Sequence, residues 1–301
     1  MIERAAPIPP ASLMQRRTLV LRWMPAASLG LALTPGGAAA TPATPSTAGP
    51  SVRVLPEPLA MPGLGRSRTL RLYLPPSYDR EPARRYPVVY LHDGQNLFDA
   101  ATSYAGEWGV DETLDALARD TGFEALAVGI DNGGVRRNQE LAPYDHPELG
   151  TAEGHAYLRF LVDTVKPFID AGWRTRPERT HTALIGSSLG GLISHAALLR
   201  HGAVFSRYGL FSPSYWAAPQ LFDATAAATL PAGTRVHLYA GGREGGSMVP
   251  LTQRMHRLLA AQLPAERLSL HLVPDAQHQE AAWRAELPSA LRRLFELPPL
   301  A

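Results

Sequence analysis

The chain has 301 residues, of which 45% are hydrophobic and 19% charged, so it is neither a disordered nor a fibrous protein. It contains no cysteine, which excludes disulfides, thiolate metal sites and a cysteine nucleophile. Residues 1–40 hold four arginines and one glutamate; the other 25 basic and 26 acidic residues give the rest of the chain a net charge of −1. This near-neutral body predicts no nucleic-acid partner.

Residues 1–40 have the layout of an export signal. A basic stretch at 14–22 precedes a short apolar stretch, and three alanines at 38–40 offer a cleavage site. The apolar stretch is too short for a stable membrane anchor. We expect a signal peptide, with Met14 the better initiator, and a mature protein that is periplasmic or secreted. The Arg16-Arg17 pair leaves both Sec and twin-arginine export open.

After the signal we expect a linker and N-terminal extension at 41–66, with a mobile Pro/Thr/Ala-rich start, and a single catalytic domain at 67–301. Apolar, strand-like runs alternate with amphipathic stretches in this domain. The predicted strands are 68–74, 87–92, 125–130, 182–186, 208–211, 235–240 and 269–273. Helical spacing follows at 158–169, 189–200, 251–259 and 283–295. The alternation predicts an α/β fold, with a mostly parallel central sheet, helices on both faces and ligands at the carboxyl ends of the strands.

Residues 186–190, Gly-Ser-Ser-Leu-Gly, match the pattern G-x-S-x-G. They lie between a predicted strand and a predicted helix, which is the context that a nucleophile elbow requires. Glycine at 186 and 190 relieves crowding around the tight turn, and the helix N-terminus favours negative charge there. Ser188 is therefore the predicted nucleophile; the alternative is a structural serine in a Gly-rich turn.

A serine nucleophile needs a base, and in this architecture the chain order is serine, acid, histidine. His278 is the predicted base because it follows strand 269–273 by a short loop, at the carboxyl edge of the sheet. His256 falls within a helical stretch and His271 within a strand. The alternative for His278 is a surface histidine in a loop.

The predicted acid is Glu244, which lies in a glycine-rich loop just past strand 235–240 and between the nucleophile and the base in chain order. Asp275 is the rival, although it stands only three residues before His278. Asp223 is a weaker rival. The alternative for Glu244 is a solvated glutamate beside Arg243.

Acyl transfer also needs amide donors for the oxyanion. The backbone N–H of Leu189 is one predicted donor. The other is the backbone N–H of Gln95, in the turn that Gly94 allows after strand 87–92. The pair His92-Asp93 in that turn has no spacing typical of a metal site, so no metal or organic cofactor is expected.

Several motifs in chain order resemble the putative esterase (esterase D-like) family of α/β-hydrolases. They are YLHDGQNLFD (90–99), EWGVDETLDAL (107–117), GIDNGG (129–134), KPFID (166–170), GSSLGGLIS (186–194) and FSPSYW (211–216), with His278 and Trp283. The family includes feruloyl and acetyl-xylan esterases, enterobactin-type siderophore esterases and mycolyltransferases. The resemblance implies the same nucleophile, acid, base and second oxyanion amide. Siderophore esterases often carry Tyr after the serine, so Leu189 favours the carbohydrate- or general-esterase side.

Four residues are predicted to bind substrate: Asp93, Arg137, Tyr215 and Trp216. We expect Arg137 to form an ion pair with Glu140, three residues later. The two aromatic residues either stack on a sugar or phenolic ring or close the core beside strand 208–211.

The sequence predicts a serine carboxylesterase that forms an acyl-enzyme on acylated saccharide or phenolic esters. One alternative is an exported siderophore trilactone esterase. Its triscatecholate substrate is anionic and would require several arginines near the pocket, and Arg136, Arg137 and Arg243 are available. An acyltransferase with the same three residues is another. A non-catalytic binding module is disfavoured because it has no need of nucleophile, acid and base in the right order. The expected partner is a small-molecule or oligosaccharide ester, with no oligomeric state indicated.

Overall fold

The computed structural model describes residues 44–298, so the predicted signal peptide lies outside the described range. The described chain is built around an eight-stranded sheet in the order β1-β4-β6-β5-β7-β8-β9-β10. Its strands are β1 (Val52–Val54), β4 (Leu70–Tyr73), β5 (Val88–His92), β6 (Leu126–Ile130), β7 (Thr182–Ser187), β8 (Arg207–Phe211), β9 (Arg235–Gly241) and β10 (Leu268–Val273). β2 (Leu59–Met61) and β3 (Arg66–Arg68) form a separate antiparallel pair.

Six neighbouring strands, β6, β5, β7, β8, β9 and β10, run parallel, whereas β4 pairs antiparallel with both β1 and β6. The predicted strands are all present, and their parallel majority confirms the predicted α/β class. The predicted strand 68–74 corresponds to the end of β3 and to β4. β1 and β2 were not predicted because three-residue strands give too short a pattern.

The helices alternate with the strands along the chain. They are α1 (Val110–Thr121), α2 (Arg137–Leu141), α3 (Gly154–Phe160), α4 (Lys166–Gly172), α5 (Leu189–Arg200), α6 (Gln220–Ala227), α7 (Met248–Ala260) and α8 (Glu280–Phe295). A five-residue π-helical segment, Leu161–Val165, joins α3 to α4, so the predicted stretch 158–169 is helical throughout. Pro288 lies inside α8, and the helix continues past it.

Apolar side chains cover both faces of the sheet. In β5, Val88 and Tyr90 pack into one buried cluster while Val89 and Leu91 pack into the other, as the period of two along a strand requires. The first cluster includes residues of α3, α5, α6 and α7; the second includes residues of α1 and α8. Helices therefore cover both faces, and polar groups that act on a ligand must lie at the strand ends.

The N-terminal extension belongs to the domain, and the boundary expected at residue 67 is too late. β1 is an edge strand of the main sheet and pairs with β4. Ahead of it, Thr47 donates from Oγ1 to Glu107 Oε1 at 3.0 Å, and the Gly49 amide donates to Asp111 Oδ2 at 3.1 Å. These hydrogen bonds hold residues 44–50 against the domain, whereas their composition predicted a mobile linker. No helix in the described range is both long and apolar enough to cross a membrane.

Candidate active site

Ser188 occupies the turn between β7 and α5. Its backbone has φ 57° and ψ −121°, a conformation that a non-glycine residue adopts only under constraint. Gly186 makes the turn possible, since a Cβ there would lie 2.5 Å from the Gly190 carbonyl carbon. The Ser188 N–H donates to Phe211 O, at the end of β8, at 2.9 Å. The turn thus has the geometry of a nucleophile elbow at the carboxyl edge.

His278 and Glu244 meet at the same edge. The loop after β10 carries His278, and its Nδ1 lies 2.9 Å from Glu244 Oε2 in the loop after β9. The Glu244 carboxylate is fully buried, whereas about a third of the His278 side chain (34%) is exposed. Both rivals for the acid, Asp275 and Asp223, are exposed, and neither makes a hydrogen bond to His278 among the described residues.

The Ser188 hydroxyl is held by a neighbouring serine. Its Oγ lies 3.1 Å from Ser214 Oγ, and the Ser214 N–H donates to Ser188 O at 3.1 Å. Between Ser188 and His278, both in the described range, the structure records no hydrogen bond. Catalytic hydrogen bonds in ligand-free sites are often long and tighten when substrate binds.

The two predicted oxyanion donors lie at neighbouring strand ends. Leu189 is the first residue of α5, and the first N–H groups of a helix have no intrahelical acceptor. Gln95 lies in the short 3₁₀ turn that follows β5 and Asp93. Its side chain secures that turn because Oε1 accepts from the Asn132 N–H at 2.9 Å. Both amides therefore lie at the edge that carries Ser188.

Arg137 pairs with Asp93, which contradicts the expected pairing with Glu140. Its Nε and Nη2 donate to the two oxygens of the Asp93 carboxylate at 2.5 and 2.8 Å, and Asn132 Nδ2 donates to the first oxygen at 2.7 Å. Burial alone would raise the pKa of Asp93, but the guanidinium outweighs it and holds the pKa below its usual range. Asp93 is thus a buried counter-ion that orients Arg137, and its oxygens are occupied.

Glu140 faces away from Arg137, into the fold. Its carboxylate is buried and pairs with two arginines of β3, Arg66 at 2.9 Å and Arg68. A spacing of three residues was a weak guide here because α2 has only five residues and turns Glu140 toward the β2–β3 pair.

The two aromatic residues after β8 have opposite environments. Tyr215 is buried, and its Oη lies 2.8 Å from Nδ1 of the fully buried His195 on α5. It therefore closes the core, and its prediction as a substrate-binding residue is wrong. Trp216 is 42% exposed and packs edge-on against His146 at 5.4 Å between ring centroids. Only Trp216 of the pair is available to a ligand.

Exposed hydrophobic side chains concentrate at the carboxyl edge. Five large ones are exposed in residues 44–298, and three of them follow the ends of β5, β6 and β8. These three are Tyr104, Val135 and Trp216. All three lie on loops that follow the carboxyl ends of parallel strands, the edge that also carries Ser188.

One group of acidic side chains in the described range is close enough to hold a metal ion. Ligand atoms of Glu107, Asp111 and Glu112 lie within 4.8 Å of one another. Arg284 already balances two of them, at 3.5 Å from Glu107 and 3.8 Å from Glu112. All three lie at or just before the N-terminus of α1, where the helix dipole favours carboxylates over cations. Arg284 and the helix N-terminus therefore already supply positive charge to this group.

Sequence reasoning missed three residues that contact the predicted catalytic groups. Ser212 and Ser214 stand in the loop after β8, and Trp283 in α8. Ser212 donates to Glu244, Ser214 contacts Ser188, and Trp283 donates to Ser212. Ser212 and Ser214 lie in the motif FSPSYW, in which the aromatic residues drew attention, and Trp283 was noted beside His278 in the family resemblance but given no role.

The mostly parallel sheet with the strand–turn–helix at Ser188 is the α/β-hydrolase fold. The sequence model described as "Putative esterase" matches residues 62–294. The chain belongs to this Esterase family, and it is a carboxylic ester hydrolase.

Relatives of this chain include proteins with and without a named activity. The uncharacterized protein YbbA of Bacillus subtilis (strain 168) is 27% identical over 244 residues, which cover 76% of this chain and 93% of YbbA. The iron(III) salmochelin esterase of Escherichia coli O6:H1 is 28% identical, over 74% of this chain and 53% of that enzyme. A feruloyl esterase module from Clostridium thermocellum, complexed with sinapinate, has a TM-score of 0.60 at 17% identity, covering 84% of this chain and 92% of the module.

Proposed function

We propose that this protein is a serine esterase in which Ser188 is the nucleophile, His278 the base and Glu244 the acid. The hydrogen bond between His278 Nδ1 and Glu244 Oε2, at the same edge as the strained turn of Ser188, carries the proposal. An ionised carboxylate only accepts hydrogen bonds, so it fixes the tautomer with the proton on Nδ1. Nε2 is then free to take a proton.

In the first step Ser188 Oγ attacks the ester carbonyl carbon while its proton moves to His278 Nε2. The carbonyl oxygen becomes an oxyanion, and the N–H groups of Leu189 and Gln95 are the proposed donors to it. The bond to the alcohol oxygen then breaks. His278 returns its proton to that oxygen, the alcohol leaves, and the acyl group remains esterified to Ser188.

In the second step water takes the place of the alcohol. His278 removes a proton from the water as its oxygen attacks the acyl carbon, and then returns that proton to Ser188 Oγ as the acyl bond breaks. The products are a carboxylic acid and the resting serine. Protonated His278 cannot act as a base, so the neutral imidazole is the active form in both steps.

For the substrate we infer an ester whose acyl part is aromatic or phenolic and whose alcohol part is a saccharide. Trp216, which is exposed in the loop after β8, supports an aromatic ligand because its indole ring could stack on one. Arg137 is neutralised by Asp93, and the acidic residue Glu280 lies near both, so the site has little excess positive charge. The feruloyl esterase module of the same fold is consistent with this inference.

A siderophore trilactone esterase is the second candidate, favoured by the relationship to the salmochelin esterase. A triscatecholate is also aromatic, but its negative charges require unpaired arginines. Arg136 and Arg243 are exposed and form no ion pair within residues 44–298. An acyltransferase would use the same first step, with an alcohol replacing water in the second, and a sugar acceptor in the assay would reveal it as a new ester.

The test combines a covalent probe with a substrate panel. The full chain and Ser188→Ala are treated with a fluorophosphonate, and the labelled peptide is identified by mass spectrometry. We expect labelling at Ser188 and none in the variant. Feruloyl, acetyl-xylan, nitrophenyl and catecholate trilactone esters are then compared by kcat/KM. An unlabelled but folded wild-type protein would refute the proposed nucleophile, and a trilactone preference would favour the second candidate.

We also propose that the protein is exported, on the basis of the signal-like residues 1–40. Expressed in its own cell, the protein should be found outside the cytoplasm and begin after residues 38–40, as read by N-terminal sequencing. An uncleaved cytoplasmic protein would refute export.

A further inference from the structure

Ser212 follows β8 and is one of four non-glycine residues with positive φ in the described chain, at 44°. It is fully buried, and its N–H donates to Tyr239 O at 2.7 Å. A left-handed backbone at a buried serine is unfavourable and persists only where the surroundings require it. The contacts of its hydroxyl show what that requirement is.

The Ser212 hydroxyl lies between an obligatory donor and an acceptor. Trp283 Nε1 donates to Ser212 Oγ at 2.9 Å, and Ser212 Oγ donates to Glu244 Oε1 at 2.6 Å. The indole N–H can only donate and an ionised carboxylate can only accept, so the direction of both hydrogen bonds is fixed. Ser212 therefore has no freedom to rotate its proton elsewhere.

These contacts decide which carboxylate oxygen is available to the base. Glu244 Oε1 accepts from Ser212 and also from the Gly241 N–H at 2.6 Å. Oε2 is left for His278 Nδ1 at 2.9 Å. The Trp283 ring also packs edge-on against His278, with 5.0 Å between centroids and an 88° angle between planes. The four side chains thus form a closed circuit that holds the acid and the base together.

The same loop contacts the nucleophile. Two residues after Ser212, the Ser214 N–H donates to Ser188 O and the two hydroxyl oxygens lie 3.1 Å apart. A movement of residues 212–214 would shift Glu244 relative to Ser188. A misplacement of about 1 Å in a catalytic group can lower the rate roughly 100-fold.

We propose that Ser212 is a positioning residue for ester hydrolysis. It accepts a hydrogen bond from Trp283 and donates one to Glu244, and it thereby fixes His278 relative to Ser188. The inference rests on the proposed function of these three groups. Ser212 itself touches no substrate, because it is fully buried behind Glu244. Its removal should therefore slow the chemistry and leave substrate affinity unchanged.

The test uses Ser212→Ala and Trp283→Phe in the full chain, with Ser206→Ala as the matched control. Ser206 immediately precedes β8, at the opposite end from Ser212, is also fully buried, and donates to Arg179 O at 2.7 Å. It matches the loss of a buried hydroxyl without contact to the site. Trp283→Phe keeps a ring against His278 and removes only the indole donor.

We expect Ser212→Ala to lower kcat by about 10- to 100-fold with KM within about twofold, and to slow fluorophosphonate labelling by the same factor. Trp283→Phe should lower kcat in the same direction. The double variant should be no slower than Ser212→Ala alone, because both changes break the same chain of hydrogen bonds from Trp283 through Ser212 to Glu244. The downfield proton resonance of His278 Nδ1–H, assigned by its loss in His278→Ala, should move or broaden in Ser212→Ala and stay in place in Ser206→Ala.

A folded Ser212→Ala with wild-type kcat and an unmoved resonance would overturn the proposal. A loss of kcat equal to that of Ser206→Ala would show that Ser212 is only a structural serine, and this would also overturn the proposal. If Ser212→Ala does not fold, as judged by thermal melting, Trp283→Phe decides, and an unchanged kcat there overturns the proposal. Failure of wild-type labelling at Ser188 is a separate outcome and refutes the proposed function instead.

Discussion

The histidines of the described chain occupy two contrasting environments. His278, at the strand ends, is partly exposed and its Nδ1 faces the buried Glu244 carboxylate. His92 and His195, the buried histidine pair, lie in the core, and each is bound through both ring nitrogens by hydroxyl groups. Burial lowers the pKa of His92 to about 4 and that of His195 to about 3.

The difference shows what makes a histidine usable as a base. A carboxylate partner orients the ring and stabilises its charged form, and access to solvent lets the second nitrogen meet a substrate. The buried histidine pair has neither, so it is kept neutral and serves packing. Proximity to the nucleophile is therefore a poor guide, since His195 lies on the helix that starts beside Ser188.

The largest expected difference in activity is between His278→Ala and His195→Gln. We expect His278→Ala to lower kcat/KM for a nitrophenyl ester by roughly 10⁴-fold, because the proton acceptor is lost. His195→Gln should keep kcat within about threefold but lower the melting temperature, since Tyr215 and Thr225 lose a buried partner. A folded His195→Gln as inactive as His278→Ala would reverse the assignment.

The next largest effect tests the acid. Glu244→Gln should lower kcat by about 10³- to 10⁴-fold, because an amide N–H facing His278 favours the wrong tautomer. Asp275→Asn, the matched change on the rival, should stay within about twofold. Steady-state kinetics on both variants checks this, and a greater loss from Asp275→Asn would make Asp275 the acid.

The buried histidine pair should make the fold sensitive to acid. An unfolded histidine has a pKa of about 6.5, whereas the folded values are about 4 and 3. Between these limits the unfolded chain binds protons that the folded chain excludes, so stability is full above this window and lost as the pH falls. We expect roughly 2 kcal/mol lower free energy of unfolding per histidine at pH 5 than at pH 7, measured by urea titration. A smaller pH dependence in His195→Gln would attribute that share to His195, and an equal one would contradict it.

The smallest predicted effect concerns a buried carboxyl group, whose pKa also depends on burial. Burial, with a contribution from Glu112, raises the pKa of Asp111 to about 7, from about 3.9 when unfolded. Between these values the folded state holds a proton that the unfolded chain releases, so stability falls as the pH rises through this window. Asp111→Asn should raise the melting temperature by a few degrees at pH 8, equivalent to about 1 kcal/mol, and leave it unchanged at pH 4. An equal shift at both pH values would exclude titration as the cause.

The residues proposed for the candidate site were chosen by residue type and chain order. Ser188 was proposed from a local pattern, and Glu244 and His278 from their positions just past strands. The pairing of Arg137 was predicted wrongly because its partner, Asp93, is 44 residues away in sequence. Tyr215 was ambiguous because an aromatic residue after a strand can face either the core or a ligand, and only the packing of α5 against it decides.

The sequence by itself determined the α/β class, the strand–turn–helix at Ser188 and the absence of cysteine chemistry, because these depend on local periodicity and composition. Tertiary structure alone decided which carboxylate oxygen faces His278, which arginine is neutralised and which buried serine completes the circuit with Trp283. Those contacts join residues that are 34 to 71 positions apart in the chain, and hydrogen bonds at that separation leave no periodic pattern in the sequence.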